Sequence, residues 1–214
     1  MIIAVDGPTA SGKGTISKEL ARHFRLPFMD TGLLYRAVGW MVSEMGGDPD
    51  VETDAVKGCI FDDDLLRDPV LRSEGIGGYA SKVSVHPAVR TALDKRQRDF
   101  ANQPGGAVLD GRDIGTVIAP NADVKLFVTA TSEARAVRRF EEMNGRGEAV
   151  NFDDIMADIL NRDERDKNRA TAPLKPAKDA DLLDTTGLTI DAAVQQAIAM
   201  VNAKISRRHD KDPA

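Results

Sequence analysis

The chain has 214 residues, of which 42% are hydrophobic and 29% charged, and its formal net charge is -5 at pH 7. This length allows one substantial core and is short for two equal domains, so we expect a single domain over residues 1–214. The acidic balance disfavours a general nucleic-acid-binding or membrane surface. No apolar run reaches the length of a membrane span, and the chain begins without a leader-like segment, so we expect a cytoplasmic protein. The single cysteine, Cys59, excludes an internal disulfide and a cysteine-based zinc site.

The N-terminal segment has the pattern of a strand, a phosphate-binding loop and a helix. Residues 2–5 are apolar and predict a buried strand, and Lys13 opens a helix whose apolar face comprises Ile16, Leu20, Ala21 and Phe24. Between them, glycines allow backbone amides to approach an anion closely, and the helix N-terminus adds partial positive charge. We therefore expect this loop to bind the phosphates of ATP, with Lys13 reaching the β and γ phosphates. The candidate ATP-binding residues are Gly7, Pro8, Thr9, Ala10, Ser11, Gly12, Lys13, Gly14 and Thr15.

This loop departs from the usual pattern at one position. Gly14 stands where a Ser or Thr commonly ligates magnesium, and Thr15 follows it. The protein ligand to Mg²⁺ is therefore open, with Thr15 as one candidate. The alternative interpretation of the whole motif is a glycine-rich turn with a chance lysine.

The next part of the chain predicts a strand, a helix and an irregular insertion. Residues 27–30 predict a short strand, Thr31 lies at a helix start, and Gly46 and Gly47 stop that helix. Over residues 48–85 the regular pattern weakens, and three glycines at 75, 77 and 78 loosen the chain. We interpret this segment as an insertion that caps a site, and a solvated surface decoration is the alternative.

The remaining elements alternate between helix and strand. Residues 86–104 predict a helix, residues 107–110, 123–129 and 181–184 predict strands, and residues 190–205 predict a last helix before a polar tail. This βα repetition predicts an α/β fold in which a mostly parallel sheet is covered by helices on both faces. Ligands bind beyond the carboxyl ends of such strands, where Asp6, Asp30 and Asp110 fall.

Two later helices carry many arginines. The first places Arg135, Arg138 and Arg139 on one face, opposite Val137 and Phe140. The second places Arg162, Asp166 and Arg169 on one face, and a glycine-containing connection over residues 144–148 joins the two helices. We interpret the pair as a lid that closes on polyphosphate. The alternative is an ordinary ladder of salt bridges on a solvated helix face.

A short polar segment follows the strand at residues 107–110. Arg112 can hold a phosphate through two parallel N–H donors. Asp110 is a candidate for orienting hydrated Mg²⁺, through water. An exposed, solvated loop is the alternative interpretation of this segment.

Several segments together resemble the bacterial cytidylate kinase family: residues 7–15 (GPTASGKGT), 30–32 (DTG), 35–36 (YR), 110–116 (DGRDIGT) and 162–169 (RDERDKNR). The resemblance implies a P-loop kinase core with a central parallel sheet flanked by helices. It also implies an insertion that binds the nucleoside monophosphate, over roughly residues 33–106, and a mobile helical lid over roughly residues 140–170.

The resemblance also implies roles for individual residues. Thr31, Arg36, Arg112 and Arg169 would hold the acceptor phosphate, with Tyr35 beside them, and Arg162 and Asp166 would meet the ribose. Ser81, Arg90 and Asp113 would bind cytosine. Lys13, Arg112, Arg162 and Arg165 would act on the transferring phosphoryl group, and Arg138 would contact ATP.

The chemistry of cytosine agrees with that assignment. Its edge shows an amino donor at N4 beside acceptors at N3 and O2, so a carboxylate and a guanidinium complement it, whereas uracil would leave both unpaired. We expect a monomer that transfers the γ-phosphoryl group of ATP to CMP or dCMP with Mg²⁺ and binds neither nucleic acid nor membrane. Two alternatives are a kinase of the same fold for UMP or shikimate, and a slowly hydrolysing nucleotide switch. The NKxD-type motif of a guanine-binding switch is missing from the sequence.

Overall fold

A five-stranded parallel sheet forms the centre of the molecule. The computed structural model describes residues 1–209, and it contains the strands β1 (Ile2–Asp6), β2 (Phe28–Asp30), β3 (Ala107–Gly111), β4 (Val124–Thr129) and β5 (Asp181–Asp184). The strand order is β2-β3-β1-β4-β5, and every neighbouring pair is parallel. The predicted α/β architecture is therefore confirmed. Asp6 and Asp30 end their strands as expected, and Asp110 is the penultimate residue of β3.

Helices cover both faces of the sheet. They are α1 (Lys13–Phe24), α2 (Thr31–Glu44), α3 (Glu52–Lys57), α4 (Glu74–Val83), α5 (Pro87–Ala101), α6 (Ser132–Gly145), α7 (Phe152–Asn168) and α8 (Ile190–His209). One core joins β1, β3, β4 and β5 to α1 and α8 and includes Val5, Ile16, Leu126 and Val201. The opposite face packs Ala4 and Leu109 against Ala101 of α5 and the short helical turn Ile114–Ile118. None of the helices within residues 1–209 has the length and apolarity needed to span a membrane. The end of the expected polar tail, residues 210–214, lies outside the described residues.

The insertion is more regular than its sequence predicts. Helix α4 runs through Gly75, Gly77 and Gly78, which we expected to loosen the chain. The reason is tertiary packing, because α2 and α4 approach so closely that a Cβ at Gly39 would lie 2.8 Å from Cβ of Tyr79. The shared core of these helices with α5 stabilises α4 despite the low helix propensity of glycine.

Helices α6 and α7 pack on each other through a small core of their own. Ala136, Met143, Ile155 and Ile159 are its buried members. The prediction that Val137 lies on the apolar side of α6 is wrong, since 44% of its surface is exposed. The prediction that Arg169 belongs to the helical face of α7 is also wrong. The helix ends at Asn168, and Arg169 adopts an extended conformation as the residue that caps it.

Candidate functional site

The loop between β1 and α1 is shaped by backbone conformations that favour glycine. Gly12 has φ +85° and precedes the first turn of α1, and Ala10 also has a positive φ of 56°. A Cβ at Gly7 would lie 2.0 Å from the Val128 carbonyl oxygen, so only glycine fits there. The hydroxyl of Ser11 donates to the Pro8 carbonyl at 3.0 Å and closes the turn. Backbone amides at a helix start and in a glycine loop of this kind can bind an anion.

Lys13 and Asp110 connect this loop to β3. Lys13 Nζ lies 3.1 Å from Oδ1 of Asp110, a buried oxygen without a hydrogen bond of good geometry. Burial raises the pKa of Asp110, and the charge of Lys13 offsets part of that rise. A Cβ at Gly14 would lie 3.3 Å from Oδ2 of Asp110, so the glycine leaves space beside this carboxylate. The Asp110 carbonyl oxygen accepts a hydrogen bond of 2.8 Å from the Thr31 hydroxyl. Asp110 therefore contacts Lys13 through its side chain and Thr31, at the start of α2, through its backbone.

The two candidate metal ligands lie in different surroundings. Thr15 is exposed and lines a groove between α1 and α8, together with Glu19 and Asp191. Among residues 1–209, no three or more histidine, cysteine, aspartate and glutamate side chains are grouped so as to hold a metal ion. A Mg²⁺ ion beside Asp110 would thus take most of its oxygen ligands from phosphate and water, as this ion commonly does. In the described part of the chain, Oδ1 of Asp110 has only the ion pair with Lys13, and Gly14 leaves space beside Oδ2. Both features fit such an ion.

A cavity of about 220 Å³ adjoins the loop on the side of α8. It is lined by Ser11, Gly12, Ile16, Arg138, Thr185, Leu188, Thr189, Ile190 and Ala193. Arg138 Nη1 donates to the Thr185 hydroxyl at 3.0 Å, and that hydroxyl donates to the Ser11 carbonyl at 3.0 Å. Sequence reasoning missed Thr185. Its position directly after β5, at the carboxyl edge of the sheet, is the signal that could have identified it.

A second cavity, of about 110 Å³, lies between the insertion, β3 and α7, and we call it the acceptor-side cavity. All ten predicted substrate-binding residues line it: Thr31, Tyr35, Arg36, Ser81, Arg90, Arg112, Asp113, Arg162, Asp166 and Arg169. Thr9 of the phosphate loop and Ser84 of the insertion also line it. Five arginines face two aspartates here, so the cavity carries excess positive charge. Such a surface favours a multiply charged anion.

The surroundings of Arg36 show that positive charges in this cavity repel one another. Its guanidinium donates to the carbonyl oxygens of Leu71 and Ser73 at 2.7 and 3.1 Å. Burial, followed by repulsion from Arg162, lowers the pKa of Arg36 to about 10. A negatively charged ligand beside Arg36 would relieve this repulsion.

The two aspartates of the cavity hold several of its arginines. Asp166 Oδ2 lies 2.9 Å from Nε of Arg112. Asp113 forms a buried ion pair with Arg90 and lies 3.4 Å from Nη2 of Arg169. The guanidinium of Arg90 also lies over the ring of Tyr35, 5.6 Å from its centre. The side chains that could bind a nucleotide are thus already oriented by one another.

The arginines of α6 and α7 have separate surroundings. Arg135 is buried and forms a two-point ion pair with Asp163 at 3.0 and 2.5 Å, and Arg139 pairs with Glu142. Arg162 pairs with Asp158 at 2.7 Å and also lines the acceptor-side cavity. Arg165 does not line this cavity, and its Nη1 donates to the hydroxyl of Ser81 at 2.5 Å. Arg139 therefore fits the alternative of a salt-bridge ladder along one helix, and so does the Arg162–Asp158 pair. Arg135 instead forms a buried pair between α6 and α7, and Arg162 and Arg169 also line the acceptor-side cavity.

Asp6 is a buried residue of this region that sequence reasoning placed at a strand end without a role. Its two oxygens accept hydrogen bonds of 2.8 Å from the backbone amides of Ile114 and Gly115. Burial raises the pKa of Asp6 to about 7. These bonds hold the segment that directly follows Arg112 and Asp113.

Comparisons of the sequence and the fold with known proteins identify a family. The family model described as Cytidylate kinase matches residues 3–203. A protein from Afipia carboxidovorans named Cytidylate kinase is 54% identical over 94% of this chain and 97% of its own length. One from Nitrobacter winogradskyi with the same name is 52% identical over 95% of this chain and 96% of its own length. In fold, an uncharacterized protein from Eubacterium ventriosum is similar, with a TM-score of 0.56 and 15% identity over 95% of this chain and 99% of that one. The chain belongs to the cytidylate kinase family.

Proposed function

We propose that this protein transfers the γ-phosphoryl group of ATP to a phosphate oxygen of CMP or dCMP, giving ADP and CDP or dCDP. The observation that carries the proposal is the meeting of ten side chains, from five separate parts of the chain, in one positively charged cavity. Thr9 of the phosphate loop belongs to the same cavity, so a donor on the loop and an acceptor in the cavity would lie next to each other. Family membership supports the choice of nucleotide.

The acceptor phosphate is assigned to Thr31, Arg36, Arg112 and Arg169. A guanidinium group can bind two phosphate oxygens at once, and Arg36 of α2 and Arg112, which follows β3, both line the cavity. The ribose is assigned to Arg162 and Asp166. Because Asp166 now pairs with Arg112, phosphate binding to Arg112 would free this carboxylate for sugar hydroxyls.

The base is assigned to Ser81, Arg90 and Asp113, beside Tyr35. Asp113 would accept from N4 of cytosine, and Arg90 would donate to N3 and O2. Uracil would set a carbonyl against Asp113 and an N–H against Arg90, leaving buried polar groups unpaired. The existing Arg90–Asp113 pair supports this assignment, because it holds both groups side by side within the cavity.

ATP is assigned to residues 7–15 and Arg138. The loop amides and Lys13 would hold the phosphates, and the cavity at Arg138 and Thr185 would take the nucleoside end. Mg²⁺, when bound, would neutralise part of the charge on the phosphates. Asp110 would orient its water shell in the space that Gly14 leaves. We propose no ligand role for Thr15, because its side chain lies in the α1–α8 groove.

The chemical step needs charge neutralisation and no general base. A phosphate monoester has a second pKa of about 6, so the acceptor is already largely dianionic near neutral pH. Two unit charges about 4 Å apart repel by roughly 4 kcal/mol at an effective dielectric of 20. Lys13, Arg112, Arg162 and Arg165 would offset this repulsion and stabilise the transferring group. In this proposal Arg165 leaves Ser81 as the lid, residues 140–170, closes over the region 33–106.

We also propose that the protein works as a cytoplasmic monomer. Every side chain assigned above belongs to one chain, which supports a site formed within a single copy. Light scattering behind a sizing column would test this part of the proposal. A stable dimer at assay concentrations would contradict it.

Product analysis tests the proposed reaction. The protein is incubated with ATP and Mg²⁺ and with CMP, dCMP, UMP, shikimate or no acceptor, and products are separated by ion-exchange chromatography. We expect CDP and dCDP, with CMP strongly preferred over UMP and little ADP without acceptor. Preferred phosphorylation of UMP or shikimate would favour a different kinase of this fold. Tight ATP binding without any acceptor-dependent rate would favour a nucleotide switch.

A further inference from the structure

The helical turn after Asp113 does not use the side chain of this residue as its cap. Asp113 directly precedes the turn Ile114–Ile118, a position where an aspartate ordinarily accepts a hydrogen bond from the backbone amide two or three residues further on. Within the described residues, its side chain makes no such bond. The Asp113 carboxylate pairs instead with Arg90 and lies 3.4 Å from Nη2 of Arg169. The first amides of the turn therefore need another acceptor.

Asp6, at the end of β1, is that acceptor. Its Oδ1 accepts from the amide of Ile114 and its Oδ2 from the amide of Gly115, both at 2.8 Å. The Gly115 amide lies two residues after Asp113 and is one that Asp113 would ordinarily bind. A Cβ at Gly115 would lie only 3.3 Å from Oδ2 of Asp6, so the glycine allows this close approach. The cap of the turn thus comes from a residue 108 positions before Ile114.

The burial of Asp6 has a cost that a local cap would avoid. The residue is only 4% exposed, and an ionised carboxylate loses its hydration in the interior. Burial raises the pKa of Asp6, which is the direction expected from this cost. A bond from the Gly115 amide to Asp113 would need no second buried carboxylate. The use of Asp6 therefore needs an explanation beyond the stability of the turn.

The arrangement fixes the backbone around Asp113 and leaves its side chain to the cavity. Asp6 is paired in register with Gly111, two residues before Asp113, and binds the two amides that follow Asp113. The Asp113 carbonyl accepts from the Val117 amide at 2.8 Å. Asp113 lines the acceptor-side cavity with Arg90, whereas Asp6 is not among the residues that line it. Asp6 can therefore influence a ligand in the cavity only through its neighbours.

We propose that Asp6 is a positioning residue for base selection: by accepting the amides of Ile114 and Gly115, it leaves the Asp113 carboxylate to face the pyrimidine beside Arg90. This inference rests on the proposed function, because it assigns Asp6 a part in choosing cytosine over uracil. A carboxylate that turned back to cap its own turn would no longer accept from N4 of cytosine. Discrimination between the two bases would then fall, since it depends on paired buried groups.

Asp6→Asn tests this role. The variant keeps the size of the side chain, but an amide oxygen can replace only one of the two carboxylate acceptors, and the new NH₂ group faces the other backbone N–H. Asp113 would then cap the released amide. We expect the ratio of kcat/KM for CMP to that for UMP to fall by about tenfold, as when one hydrogen bond to the base is lost. The loss should appear as a higher KM for CMP, with KM for ATP and kcat changed less than about twofold.

Asp123→Asn is the matched control. Oδ2 of Asp123 accepts from the Ile2 amide at 2.7 Å, so the same substitution disturbs the same kind of bond at the other end of β1. This variant should keep the wild-type CMP:UMP ratio. A second comparison uses Asp113→Asn. Because Asp6 acts through Asp113, adding Asp6→Asn to Asp113→Asn should lower the ratio no further.

Three kinetic outcomes would overturn the proposal. They are a wild-type CMP:UMP ratio in folded Asp6→Asn, an equal fall of the ratio in Asp123→Asn, and effects of Asp6→Asn and Asp113→Asn that simply multiply. Absence of CMP phosphorylation by the wild type would instead reject the proposed function.

A crystal structure of the wild type with CMP tests the same proposal without any variant. We expect Asp6 to keep the amides of Ile114 and Gly115 while the Asp113 carboxylate contacts the base. An Asp113 carboxylate that caps Gly115 or lies away from the base would overturn the proposal, even if Asp6→Asn does not fold.

Discussion

Arg112 and Asp166 join the core of the protein to helix α7, with Nε of Arg112 2.9 Å from Oδ2 of Asp166. Arg112 directly follows β3, and Asp166 lies in the last turn of α7. In the proposed function the first residue binds phosphate and the second binds ribose. In that proposal the Asp166 carboxylate would hold Arg112 until a substrate phosphate replaces it.

Replacing Arg112 tests that assignment. Arg112→Ala removes a guanidinium assigned above to the acceptor phosphate, and we expect kcat for CMP to fall by about 10²–10³, as when other preorganised charge-stabilising donors are lost. The fold should persist, which circular dichroism would show. Arg146→Ala is the control, because Arg146 directly follows α6 and forms an exposed pair with Glu142. Near-normal CDP formation by Arg112→Ala would contradict the assignment.

Asp113 should control the choice between pyrimidines. In Asp113→Asn, the new amide can accept from cytosine N4 or, after rotation, donate to uracil O4, so the variant should discriminate less. We expect the CMP:UMP ratio of kcat/KM to fall by at least about tenfold in steady-state assays. Asp64→Asn changes an exposed aspartate of the insertion and should leave the ratio unaltered. A wild-type ratio in Asp113→Asn would remove this carboxylate from base recognition.

Arg135 should contribute to stability. Its pair with Asp163 is buried, and Arg135 Nη1 also lies 3.3 Å from the Thr9 carbonyl of the phosphate loop. Removing one partner of such a pair leaves a buried charge, so Arg135→Met should lower the free energy of unfolding by about 3–5 kcal/mol. Arg22→Met, which breaks the exposed pair with Glu19, should cost no more than about 1 kcal/mol. Urea denaturation would measure both values, and an equal decrease in the free energy of unfolding for the two variants would contradict this difference.

Asp6 should make stability depend on pH. Burial raises its pKa from an ordinary 3.8 to about 7. Between these values the folded protein keeps a proton that the unfolded chain releases, so the contribution of Asp6 to stability falls as pH rises. Relative to Asp6→Asn, the wild type should lose up to about 1.4 kcal/mol per pH unit between pH of about 4 and 7, and nothing further above about 8. Parallel pH profiles for the two proteins would contradict the raised pKa.

The sequence predicted well those features that depend on local pattern. Apolar runs and strand-end aspartates indicated the parallel sheet, and the family resemblance named ten of the residues that line the acceptor-side cavity. Features that depend on tertiary pairing could not be predicted in this way. The helix across Gly77 is stabilised by its packing on α2, and Arg165 binds Ser81, 84 residues away. Thr185 acquires its contacts with Arg138 and Ser11 only when β5 lies beside β4.

The central claim is that cations far apart in sequence act on two phosphate groups held side by side. Its most direct test is calorimetric titration with a probe in which five phosphates join the 5′ oxygens of adenosine and cytidine. If the two sites adjoin, the probe should bind at least about 100-fold more tightly than ATP, because its second half binds intramolecularly. Both Lys13→Ala and Arg112→Ala should weaken that binding, although the two residues lie 99 positions apart. The account would be contradicted if the probe binds no more tightly than ATP, or if Arg112→Ala leaves its affinity unchanged.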